Sequence, residues 1–237
     1  ILKARGIRGV ALTGAWQPEL GGHLRMLCEE FSAISMPPRV HSRAISAVQV
    51  DVYQTARNAM LKLQKYGYKR PGAMLSPNFD RNVELRNWAG FASVLRDNAD
   101  LNNLPIYDAE PLDAESLRRW LDEHRPDALV IRRSGVTRLF EEIGIKPGED
   151  LGLLYIGRLP SHTHRAGMDN QNWAVGANGA DLLIGQLRRG EIGPPSVQKI
   201  VMVESVFRDG PTLPDRRAGH EKAAPGGPNA ATINSTS

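Results

Sequence analysis

The sequence predicts an α/β protein of mainly parallel sheets, on three observations. Short continuous apolar runs recur along the chain, at 7–13, 48–50, 72–75, 128–131 and 151–156. The longer stretches between them keep apolar residues at helical spacing. Proline, glycine and aspartate stand at the joins, where chains turn and helices start or stop. Apolar runs of this length are too short for helices, and strands without polar alternation are buried on both faces. Parallel sheets covered by helices on each side bury strands in this way.

Residues 1–6 read as the tail of a helix closed by Gly6, and 7–13 as a buried strand. A loop with Pro18 and paired glycines leads to a short helix at 23–31, with Leu24, Leu27, Cys28 and Phe31 on one face. A short strand at 33–36 ends at Pro37-Pro38. The next strand, 48–50, runs into Asp51, whose carboxylate can accept from free N–H groups of a first helical turn. Val52, Ala56, Ala59, Met60 and Leu63 then keep helical spacing, and Gly67 supplies a left-handed end. With 72–75 as its second strand this makes a βαβ unit.

Residues 76–80 read as a loop before a helix carrying Trp88, Phe91, Val94 and Leu95 on its apolar face. A strand at 104–107 follows. Asp113 caps a helix with Leu117, Trp120 and Leu121 inward, and Pro126 follows its end. After strand 128–131 comes a short helix at 136–143, closed by Gly144, and then strand 151–156. Residues 157–172 are polar and irregular. Trp173, Gly176, Ala177, Ala180, Leu183, Ile184 and Leu187 mark a helix, and 199–207 a single alternating strand. From Pro211 the chain is rich in Pro, Gly, Ala and polar residues without period, so 211–237 is expected to be a disordered tail.

The chain has 237 residues, 41% hydrophobic and 24% charged, which suits one or two globular domains. No apolar run reaches the roughly 18 residues of a membrane helix. A net charge of +4 spread along the chain describes a solvated surface rather than a nucleic-acid face. Cys28 is the sole cysteine, so no internal disulfide forms; it reads as a small buried apolar residue, in keeping with a reducing compartment.

No GxGxxG, Walker loop, HExxH, paired CxxC or GxSxG motif is present, and no nucleophile–base arrangement emerges, so neither enzyme activity nor a cofactor is expected. His162 and His164 sit two apart without a third ligand beside them, so no metal site is expected. A binding site is the better reading. In open α/β sheets ligands lie beyond the carboxyl ends of the strands. Those ends here are 13–16, 76–81, 132–134, Arg158 and 169–171. They offer aromatic faces with Arg, Asn and Asp groups, which is what a sugar ring and its hydroxyls require.

Asp51, Leu63, Gly67-Tyr68-Lys69-Arg70 and Gly90-Phe91 form an ordered series that resembles the core signature of the lactose-repressor (LacI/GalR) family. The resemblance runs to about Leu213. It implies two Rossmann-like subdomains with parallel sheets, of the periplasmic-binding-protein-like kind, joined by crossings at 39–47 and 157–172. The subdomains would comprise 1–45 with 167–195, and 46–166 with 196–210. Residues 7–13 would be the third strand of the first subdomain, leaving that subdomain incomplete at its N-terminus. It further implies the effector-binding and dimerisation core of a sugar-responsive transcriptional regulator. Such a protein is a cytoplasmic homodimer that contacts DNA through an N-terminal helix-turn-helix outside this sequence. The alternative is a periplasmic-type sugar-binding protein of a transport system. The stretch Phe207-Arg208-Asp209-Gly210-Pro211-Thr212-Leu213, similar to the regulators' Arg-x-Ser/Thr ending, favours the regulator.

The ligand residues so expected are Trp16, Arg81, Arg86, Asn87, Trp88, Arg133, Ser134, Arg158, Asn170 and Gln171. The family's effector arginine stands three before Gly-Phe; here that place is Asn87, with Arg86 one earlier. Arg133-Ser134 stands where the family has Asn-Asp, and Arg158-Leu159-Pro160 replaces its paired aspartates. Losing acidic acceptors while gaining Arg132 and Arg133 favours an acidic sugar derivative, a uronate or sugar phosphate, over a neutral sugar.

Overall fold

The computed structural model describes residues 1–13, 22–37, 45–97 and 104–217. They form two sheets. The first takes β1 (Gly9–Leu12), β2 (Ser32–Ser35) and β3 (Ser46–Val50), in that order and all parallel, with α1 (Gly22–Glu30) between the first two in sequence. The chain then leaves this sheet. Asp51 accepts from Gln54 N at 2.9 Å and starts α2 (Val52–Lys65), which ends before Gly67 at φ +85°.

The second sheet follows with β4 (Pro71–Leu75), α3 (Pro77–Asn82), α4 (Arg86–Arg96), β5 (Ile106–Tyr107), α5 (Ala114–His124), β6 (Ala128–Arg132), α6 (Val136–Glu142), β7 (Gly152–Arg158) and β8 (Gly167–Asp169). The chain returns to the first sheet through α7 (Asn172–Arg188) and β9 (Ile200–Val203), parallel to β3. It crosses once more into β10 (Val206–Arg208), antiparallel to β8. The second sheet therefore runs β10-β8-β7-β6-β4-β5, with every other pair parallel.

Strand alternation sorts the second core. Ala73, Leu75, Val130, Leu154 and Ile156 face α2 and α4, where they meet Ala56, Met60, Leu63, Phe91 and Val94. Met74, Leu129, Ile131, Leu153 and Tyr155 face the other way, onto Leu117 of α5 and Phe140 of α6. Gly90 allows the close approach of α4 to α2, since a Cβ there would stand 2.5 Å from Tyr53 O. On the first sheet Val48, Val50 and Val203 pack with Val175 of α7.

The α/β class with parallel sheets is thus observed, with several corrections. Strands 48–50 and 72–75 lie in different sheets, so they form no βαβ unit. The first crossing is at 50–52, not 39–47, of which 39–44 lie outside the described residues. The expected second crossing contains β8 and narrows to 170–171. The single strand at 199–207 is two strands in two sheets, divided at Glu204-Ser205. The expected subdomain divisions at 45/46, 166/167 and 195/196 accordingly miss the changes of sheet. Residues 76–80 begin α3, capped by Ser76 with Pro77 in the first turn. The start of the expected tail is docked: Leu213 is 1% exposed, and Thr212 Oγ1 donates to Leu153 O and accepts from Ala166 N, both at 2.9 Å. Residues 218–237 lie outside the described residues. Trp88 and Trp173, expected on packed helix faces, are 54% and 86% exposed.

Candidate functional site

A cleft of about 320 Å³ opens where the chain passes between the sheets. Gln49 and Val50 bring the end of β3 to it, and Val52 and Thr55 the first turn of α2. Asn170 and Asn172 come from the second crossing. The opposite wall is Phe79 and Asn82 of α3 with Val83, Glu84 and Arg86 after it. Arg132 and Ile156, at the carboxyl ends of β6 and β7, form the floor. The site thus lies where strand ends of an α/β sheet meet a second lobe.

The crossings are tied together beside the cleft. Asp51 N donates to Val203 O at 2.9 Å, and Gln171 Nε2 to Glu204 O at 2.7 Å. Thr55 Oγ1 and Ser205 Oγ share a hydrogen bond at 2.7 Å. Glu84, Leu85 and Gln171 adopt left-handed backbone, with φ of 58°, 56° and 51°. Such conformations are uncommon outside glycine, and here they turn the chain sharply at the rim and at the second crossing.

Arg132 is the charged centre of the floor. Its Nη1 donates to Ile156 O at 3.1 Å, and its guanidinium lies 4.2 Å from the centroid of the Phe79 ring. Gly157, at φ +79°, makes room for it: a Cβ there would fall 2.2 Å from Nη1. Burial lowers the Arg132 pKa to about 10, so the group remains a cation at neutral pH. Among the described residues no carboxylate pairs with it.

Of the expected ligand residues, the structure brings Arg86 and Asn170 to the cleft. Arg86 Nη2 is paired there with Glu84 at 3.1 Å. Asn87, fully buried, instead donates from N and Nδ2 to Asp80 Oδ1 at 3.2 and 2.9 Å, locking α4 to α3. Arg81 and Ser134 are exposed outside the lining, as is Trp88. Arg133 turns away to Leu75 O at 3.4 Å and Glu110 at 3.9 Å. Arg158 is buried with Nε on Arg165 O at 2.6 Å. Gln171 acts in the crossing, and Trp16 lies outside the described residues. Reading by residue missed Gln49, Thr55, Phe79, Glu84 and Asn172, whereas Asn82 stood among the strand-end groups that suit a sugar. Arg132 was visible as a strand end, but its neighbour was given the role.

Among the described residues no three His, Cys, Asp or Glu side chains could hold a metal ion, and no helix is long and apolar enough to cross a membrane. No family model matches the chain, and no curated protein matches it. Solved structures do. A LacI family transcriptional regulator from Enterococcus faecium with bound ribose aligns with TM-score 0.70 at 15% identity, over 90% of this chain and 82% of its own. A LacI family transcriptional regulator from Weissella paramesenteroides with bound glucose gives 0.66 at 14%, over 91% and 81%. A periplasmic binding protein/LacI transcriptional regulator from Alkaliphilus metalliredigens, complexed with D-xylulofuranose, gives 0.66 at 14%, over 90% and 80%. At these identities the likeness is one of fold.

Proposed function

We propose that the chain is the effector-binding core of a sugar-responsive transcriptional regulator of the LacI type. The observation that carries this is the cleft, walled by two lobes and lined with Phe79, Asn82, Asn170, Asn172 and Gln49 beside a guanidinium. An aromatic face with several amides suits a polyhydroxylated ring, which stacks on one and hydrogen-bonds the others. A ligand touching Gln49 or Asn172 as well as Phe79 favours one angle between the lobes. It can do so only by its difference in affinity between the open and closed arrangements. In this reading the angle is passed through a homodimer to DNA-binding heads in the cytoplasm. The ending around Thr212, whose sequence resembles that of regulators rather than transport proteins, docks on Leu153 O and Ala166 N at the second sheet.

A thermal-shift panel of pentoses, hexoses and their acidic derivatives tests the cleft. At about a hundred times Kd a ligand adds roughly 2.7 kcal/mol, which for a chain of this size raises Tm by about 5–10 °C. Asn170→Ala should diminish the shift. A panel in which nothing stabilises the protein, or in which the shift is indifferent to Asn170→Ala, contradicts the reading.

A further inference from the structure

We propose that the cleft's ligand carries a carboxylate or phosphate group that pairs with the guanidinium of Arg132. The inference deepens the sugar-site reading and rests on it. Arg132 presents five N–H donors and no acceptor. One of these is used within the fold, by Ile156 O. Of the other cations nearby, Arg86 pairs with Glu84 and Arg133 with Glu110, while Arg158, which donates to Arg165 O, does not line the cleft. Among the described residues Arg132 therefore holds the unneutralised charge of the floor.

Its surroundings are built to aim it. Phe79 stacks on the guanidinium from one side. Gly157 leaves the backbone bare there: a Cβ on it would fall 2.2 Å from Arg132 Nη1 and 3.4 Å from Asn170 Nδ2, so both donors border the space over this glycine. A neutral hydroxyl could accept one such bond without neutralising the cation. An anion answers both, because a carboxylate or phosphate presents paired acceptor oxygens to the planar fork. Of the two neighbouring arginines that suggest an acidic effector, Arg132 thus carries the expectation, while Arg133 turns away to Leu75 O and Glu110.

The test is titration calorimetry on the full chain and on Arg132→Gln, Arg132→Lys and Arg133→Gln. The probes are ribose, glucose and galactose; glucuronate and galacturonate; ribose 5-phosphate and glucose 6-phosphate. One of the acidic probes should bind at least about thirtyfold more tightly than its neutral parent, the scale of a charged hydrogen bond. Uronate against phosphate identifies the source of the anion. Arg132→Gln should remove that preference, Arg132→Lys should keep part of it, and Arg133→Gln should keep all of it. If Arg132→Gln fails to fold, Arg132→Lys and the ratio of acidic to neutral binding still decide. Neutral sugars binding as tightly as every acidic one, or acidic binding unchanged in the Arg132 variants, overturns the proposal and leaves the sugar site standing. No binding by any probe overturns both.

Discussion

One step along a strand decides which arginine meets the cleft. Arg132 ends β6, in register with Leu75, and lies over Phe79, while Arg133 turns to Glu110. On α4 the same holds for a step of about 100°: Arg86 lines the cleft and Asn87 is buried on Asp80. Residue types at the strand ends were legible; the direction each side chain takes was not, because it depends on register and helix phase. Caps were legible, since their chemistry is local. Asp113 accepts from Ser116 N at 2.7 Å and Ser116 Oγ at 2.6 Å, and these bonds hold its carboxyl below the usual carboxylate range. A depressed pKa stabilises the fold above the unfolded value of about 4 and loses that effect as pH falls through the lower folded value. Asp113→Ala should therefore lower Tm at pH 7, and by less at pH 3. Asp113→Asn should retain the cap with a smaller pH dependence. An Asp113→Ala deficit that does not shrink in acid would contradict the assignment.

Elements were found more reliably than their partners. Most predicted strands and helices exist within a few residues, since apolar periodicity reports burial. It does not report which sheet a strand joins. Residues 199–207 keep one alternation while passing from β3 as neighbour to β8, and 48–50 and 72–75 look alike though they serve different lobes. The segment after Pro211 misled for the opposite reason. Its composition suggests a tail, yet Leu213 is buried with Tyr68 and Leu154, and Tyr68 Oη donates to Pro214 O at 2.9 Å. A few anchoring contacts outweigh composition there. Leu213→Ala should cost about 2–5 kcal/mol by emptying a core position. Denaturant unfolding measures this, and a loss below about 0.5 kcal/mol, as for an exposed substitution, would return the segment to the tail.

At the scale of the molecule, three crossings among the described residues, at 50–52, 170–171 and 204–205, join the lobes, and hydrogen bonds link them. A change in the angle between the lobes must turn at all three, immediately beside the cleft. The two-lobed class was legible from alternation and the resemblance, but the cleft was only half legible. It is assembled by the crossings, and these were placed too early and too broadly in the sequence. The most direct measurement of the central claim is amide hydrogen exchange with and without the tightest-binding sugar of the panel. The account predicts slowed exchange at 49–55, 79–86 and 170–172 together, on both lobes, along with the linked strand ends at 203–206. Protection confined to one lobe, or centred away from these segments, would contradict it.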